Sequence, residues 1–228
     1  MIARLVIVLI ASVGPLAFPA AQSGYGSLHD LALTAVLPSV VGLGTMWFFA
    51  QRTHPDLALT ISRGAFAGAL ATLALEVVRY SGFRLGFMPG NLPQLMGVLL
   101  LDRFALGPSP WSDVAGFAYH FWNGAAFGIM FTAVAPKTSL LWPVVYGLAI
   151  GVGFLVSPVV QSLGVGLFGR DFGWQFAATV LIAHAAFGMV LGKLLQRSQY
   201  QALVLRPLEV SPGSSICACS RRQLEVDR

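Results

Sequence analysis

The chain has 228 residues, of which 56% are hydrophobic and only 10% are charged. A soluble domain carries about 25% charged residues, so an ordinary water-soluble fold is excluded, and apolar runs of about 20 residues match the ~30 Å hydrocarbon core of a bilayer. The net charge of +5 does not point to nucleic acid, because the basic residues lie at the ends of apolar runs and in the C-terminal tail, where the positive-inside rule places them.

Residues 1–21 open with Arg4 and the apolar run Leu5 to Ala11, which Gly14-Pro15 interrupts. Two readings stand. One is a first transmembrane helix. The other is a signal peptide, with a short apolar core and small residues near Ala21, though Phe18 or Pro19 at the minus-three position fits a cleavage site poorly. A transmembrane domain follows over residues 31–195. Its spans are predicted at about 31–50, 62–80, 112–134, 140–163 and 172–195. Between the second and third of these, Pro89-Gly90 and Gly107-Pro108-Ser109-Pro110 mark turns. The apolar segment 92–104 between those turns is too short to span, so it is predicted as an interfacial or re-entrant helix. Pro136-Lys137-Thr138 reads as a tight loop. Residues 196–228 are polar and basic and are expected to be disordered or bound at the membrane surface. Cys217 and Cys219 in that tail form neither a disulfide framework nor a sufficient ligand set.

The expected fold is therefore an all-α, polytopic transmembrane bundle of six spans, or five if the first segment is removed. With the N-terminus inside, ten Lys and Arg fall inside and Arg79, Arg84, Arg103 and Arg170 fall outside. This bias makes the C-terminus cytoplasmic.

Glycines recur at a spacing of four, at Gly64 and Gly68, Gly124 and Gly128, Gly147 and Gly151, and Gly188 and Gly192. Small residues four apart form a flat stripe on which helices approach closely. The same stripes could also join copies of the chain into a homo-oligomer. Each putting of a Gly-x3-Gly span before a His-x3-Gly-x3-Gly span suggests a tandem repeat of two hairpins, with His120 matching His184. A competing register lays Gly124-Ala125-Ala126-Phe127-Gly128 on His184-Ala185-Ala186-Phe187-Gly188 and takes the two histidines out of alignment.

Ionisable groups inside membrane spans are costly and need a partner or a purpose. Glu76, His120 and His184 qualify, with Arg79 one turn from Glu76 and Asn123 one turn from His120. The plain expectation for Glu76 is a local pair with Arg79, whose head snorkels to the interface. The plain expectation for each histidine is a neutral ring that fixes packing. Taken together, the two rings could ligate a haem b, or they could line a proton or solute path with Glu76 and Asn123. Asp102, Arg103, Trp111 and Asp113 would stand near the mouth of such a path. No metal site is expected, nor any cofactor unless haem, and no enzyme motif is present.

The Gly-rich hairpins, Met88-Pro89 in the long connection, Gly107-Pro108 before a span and a histidine near that span's start resemble the families of small bacterial inner-membrane proteins that include YagU. The resemblance covers about residues 63–193. It implies a plasma-membrane protein and supplies no catalytic residues. The functional expectation is a small transporter-like or channel-like protein with an outward-facing polar cavity. The alternatives are a bis-His haem protein in electron transfer and a membrane scaffold without ligand.

Overall fold

Among the described residues every regular element is helical, and their order follows the apolar runs. The computed structural model describes residues 2–135 and 139–204. Lys137, the two cysteines and most of the basic tail lie outside them.

Helix α1 (Ile2–Gln22) stays helical through Pro15 and Pro19. A short helix α2 (Leu28–Leu31), one wide π turn and α3 (Leu37–Thr53) make a continuous rod. The π turn has a local cause. Pro38 has no N–H for the Thr34 carbonyl, and the Leu37 N–H reaches back to the Ala32 carbonyl. His54-Pro55 turns the chain into α4 (Pro55–Arg84). The segment expected at 92–104 folds as α5 (Leu92–Leu100). Helix α6 (Pro110–Val134) starts with a capping box in which Ser109 accepts from the Ser112 N–H and Ser112 returns the bond, with Pro110 at its first position. Next comes α7 (Leu141–Leu155), which breaks at Val156-Ser157 before the single turn α8 (Pro158–Ser162). The last helix, α9 (Trp174–Val204), continues past the predicted end at Leu195.

Five stretches are long and apolar enough to cross a membrane: Ile2–Gln22, Leu28–Thr53, Pro55–Arg84, Leu141–Ser162 and Trp174–Arg197. The protein is thus a multi-pass membrane protein. Helix α6 is not among the five, although it has 25 residues and is about 37 Å long. Its polar content has a structural reason, because it sits inside the bundle. The consecutive residues Asn123, Gly124, Ala125 and Ala126 are all buried, so other helices cover it on every side. It packs on α1, α4 and α5, while α9 packs on α4 and α7.

Exposed aromatics gather at the two ends of the bundle. Tyr25, Phe104, Trp111 and Trp174 mark one end, and Trp47, Phe48, Phe49 and Trp142 the other. Tyr and Trp favour the two membrane interfaces, and α6 runs between the same two belts as its neighbours. Leu9, Val41, Phe66, Leu73 and Ile182 are exposed between the belts, as a lipid-facing surface requires.

The predicted glycine stripes are contact surfaces within the chain. A Cβ on Gly68 would overlap the Gly124 carbonyl oxygen and approach the Gly128 Cα to 3.0 Å. A Cβ on Gly147 would overlap the His184 carbonyl oxygen and approach the Gly188 Cα to 3.1 Å. Gly64 lies against Thr132 and Ile129, and Gly192 against Leu140 and Pro143. These faces are occupied by the chain's own helices, so they are not open to a second copy. Helix α5 docks the same way: Gly97 meets the Ser112 carbonyl, and Gly116 meets the Pro93 carbonyl. The segment predicted as an interfacial or re-entrant helix therefore lies backbone to backbone on α6.

Candidate functional site

Glu76 extends the α4 stripe Gly64, Gly68, Thr72 by one more helical turn. That stripe faces α6, so Glu76 points at the helix that carries His120. Its Oε1 stands 2.9 Å from His120 Nε2, without the alignment of a hydrogen bond. Arg79 grips the same carboxylate from one turn on, with Nε donating to Oε1 at 2.6 Å and Nη2 to Oε2 at 2.7 Å. This fork is the strong form of a carboxylate pair. The side chains of Arg79, Glu76 and His120 are 5%, 12% and 14% exposed.

The pairing of Glu76 with Arg79 matches the sequence expectation, but the snorkelling does not. Arg79 is buried, and its Nη1 has no hydrogen-bond partner among the described residues. The reason is packing. Both α6 and α9 cover α4, and Gly82, one turn beyond Arg79, lies directly on Thr179 of α9. The guanidinium cannot reach the interface through that contact.

Asn123 turns to a different neighbour. A Cβ on Gly14 of α1 would come to 3.1 Å from Asn123 Oδ1 and 2.7 Å from Trp122 Nε1, and both atoms are buried without a hydrogen-bond partner among the described residues. Tyr119 donates its hydroxyl to the Gly14 carbonyl at 2.7 Å. The α1 side of α6 thus carries Tyr119, Trp122 and Asn123, and the α4 side carries His120.

His184 is held by its own hairpin. Its Nδ1 lies 2.8 Å from the Val180 carbonyl. Its ring abuts Gly151 and runs nearly parallel to Phe154, with centroids 6.4 Å apart and planes at 23°. Among the described residues no carboxylate pairs with it. The expected match of His120 with His184 does not describe their contacts. Gly68 lies over Gly124 and Gly128 as Gly147 lies over His184 and Gly188, so Gly124 and His184 hold corresponding places. The bulky group has changed sides between the two pairs. Thr72 of α4 presses on Gly124, whereas Gly151 of α7 receives the His184 ring. Gly124 and His184 thus each lie under a glycine of a neighbouring helix, Gly68 and Gly147 respectively.

Asp113 accepts from Gln94 of α5 at 3.1 Å, while Asp102 and Trp111 are exposed. The cleft at this end is apolar, and none of Glu76, His120, Asn123 or His184 lines it. An axial-ligand role for His120 would require its Nε2 to leave Glu76. Among the described residues no group of three His, Cys, Asp or Glu side chains could hold a metal ion.

Inter-helix ties not read from the sequence include Tyr119 to Gly14, Thr132 to the Thr60 carbonyl at 3.0 Å, Tyr146 to the Phe127 carbonyl at 3.1 Å, and His29 Nδ1 beside the Leu100 carbonyl at 2.7 Å. Hydroxyls in apolar runs are the available signal, because a lone hydroxyl in hydrocarbon seeks a neighbouring helix. No family model matches this chain, and no curated protein or solved structure shows significant similarity to it.

Proposed function

We propose that the protein is a small transporter of the bacterial plasma membrane, with Glu76, Arg79 and His120 as its proton-binding centre. One observation supports the reading: three ionisable side chains converge inside a bundle of membrane-spanning helices. A buried ion pair is no better for stability than well-packed apolar residues, and such groups in membrane spans mark proton and ion paths. Each member has a chemical part. Arg79 binds Glu76 through two hydrogen bonds and fixes the orientation of its carboxyl group. An imidazole can both accept and donate a proton at its ring nitrogens, and His120 brings one to the cluster. His120 Nε2 stands 2.9 Å from Glu76 Oε1, so a small turn of the ring would align it to hand a proton to that oxygen or take one back, and the cluster's net charge changes by one when a proton enters from outside.

The test is proton flux into liposomes under a potassium diffusion potential, read with an internal pH dye. The wild type should acidify its vesicles faster than empty liposomes. Glu76→Gln keeps the shape of the site but leaves one of the two Arg79 bonds without an acceptor, so flux is read per folded protein and should fall about tenfold or more. Equal rates for wild type and Glu76→Gln, or wild-type vesicles no faster than empty ones, would reject the reading.

The kinship with families that include YagU, the inner-membrane location and the cytoplasmic C-terminus belong to this same proposal and rest on the resemblance and the charge bias. We also infer that α1 is retained as a transmembrane helix. Ile7 and Ala11 are fully buried against α3, α4 and α6, and removal of α1 would expose that core and the orphaned Trp122 and Asn123. Intact-mass measurement of the membrane-extracted protein should include residues 2–22. A mass lacking them would contradict this assignment.

A further inference from the structure

Helices α4 and α9 run antiparallel, and their contacts fix which side chains flank the seam between them. Gly82 lies on Thr179, and Ala67, Ala71 and Leu75 share one core cluster with Ala183, Phe187, Leu191 and Leu195. Arg197 follows Thr179 by 18 residues, about five helical turns, so it stands on the side of α9 that touches α4. Lys193 is one turn before it. Arg63 is one turn before Ala67 on α4, which in this register puts it near the level of Arg197. Helices α6 and α7 are tied to each other through Tyr146 and the Phe127 carbonyl, and they close one side of the α4–α9 pair. The other side faces lipid, since Phe66 and Leu73 of α4 and Ile182 and Met189 of α9 are exposed. Three cations therefore flank one open groove. Arg63 is half-buried, and Lys193 and Arg197 are exposed. Among the described residues none of the three makes an ion pair or a side-chain hydrogen bond. The nearest acid on either helix is Asp56, two turns from Arg63 and about 10 Å along the axis. In the other direction the groove is small and apolar. Half-buried Ala74 and Ala186 each stand 11 residues from Arg63 and Arg197, about three turns along the same faces. A cation in a membrane-spanning helix needs an anion or a route to water.

We infer that this groove is a binding site for one phospholipid with an anionic headgroup, of the phosphatidylglycerol class. The phosphate oxygens accept from the guanidinium groups of Arg63 and Arg197, whose planar fork suits a phosphate, and Lys193 adds a third positive charge. One acyl chain lies along the groove over Ala74 and Ala186. Basic pockets between membrane helices take anionic headgroups in this way. A choline headgroup would bring another cation to the three already there, and a soluble anion would have nothing to fill the apolar part of the groove. The site goes beyond the proposed proton centre, since it shares no residue with Glu76, Arg79 or His120.

The probe is phosphatidylglycerol against phosphatidylcholine with the same acyl chains. The full chain is equilibrated in detergent micelles holding both lipids in equal amounts, and native mass spectrometry reads which lipid it retains. The wild type should retain one phosphatidylglycerol about tenfold or more over phosphatidylcholine. Arg63→Gln with Arg197→Gln should lose that preference. Arg4→Gln with Arg52→Gln removes as much charge from α1 and α3 and should keep it. Ala74→Phe fills the groove and should lower retention with all three cations present. Excess inorganic phosphate should not displace the lipid. Thermal unfolding in phosphatidylcholine micelles checks that each variant is folded. Equal retention of the two lipids by the wild type, full preference in the folded Arg63 and Arg197 variant or in folded Ala74→Phe, equal loss in the two paired variants, or displacement by phosphate would each overturn the assignment.

Discussion

Replacing Glu76 by alanine is expected to cost about 3–5 kcal/mol of stability, one of the two largest single-site effects in this protein. The loss comes less from the missing attraction than from what stays behind. Arg79 is 4% exposed, its Nε and Nη2 both depend on Glu76, and Nη1 already lacks a partner. Without the carboxylate a guanidinium remains among apolar helices with no anion in reach and no route to water. Changing Glu76 and Arg79 together to leucine removes both charges, and most of the lost stability should return. Reversible unfolding in mixed micelles measures all three proteins. Proton flux separates the two possible roles of the pair. If it serves only to join helices, the double variant is stable and unchanged in flux. The proposed proton centre requires the double variant to be stable and inactive. A Glu76→Ala protein as stable as wild type would show that the cluster is not buried as described.

The membrane class was legible because it rests on composition and run length, which no tertiary detail can reverse. The glycine stripes were legible for a similar reason. A spacing of four fixes one helix face, and a face without side chains has few uses in a bilayer other than close approach. What such a stripe approaches is not written in the spacing, so a stripe open to a second copy and a stripe closed within the chain read alike. Glu76 and Arg79 show the boundary well. Their pairing follows from a separation of three residues on one helix. Their burial depends on α6 and α9 covering α4, a property of sequence 40 and 100 residues away. His120 and His184 show the opposite case. Their matching frames invited equivalence, but helix contacts depend on which small residue faces which large one, and here Thr72 stands against Gly124 and Gly151 against His184. Nor could any local signal reveal that Tyr119 binds Gly14. The interior place of α6 was partly visible, since Tyr119, His120 and Asn123 within five residues are tolerable only where other helices surround them.

Gly68→Val should have a comparable effect through packing alone, and it tests whether the charged cluster depends on the close approach of α4 and α6. At this position the neighbours are backbone on both sides. The first side-chain carbon would overlap the Gly124 carbonyl oxygen and stand 3.0 Å from both the Gly124 carbonyl carbon and the Gly128 Cα. A flexible side chain could swing aside, but two helix backbones can only move apart. Overpacking in cores commonly costs about 1–3 kcal/mol and sometimes more, and a backbone-to-backbone contact places this variant at the upper end of that range. Separation would also lengthen the 2.9 Å contact between Glu76 and His120, two turns along the same interface, so proton flux should fall along with stability. Gly153→Ala is the matched control. It lies in α7, nothing stands within 4 Å of its added carbon, and alanine favours a helix over glycine, so stability and flux should both be kept. Unfolding temperature and flux measured on the two variants decide the matter. A Gly68→Val protein that keeps both would mean that α4 and α6 do not touch at their glycines, and the placement of Glu76 against His120 would fall with that contact.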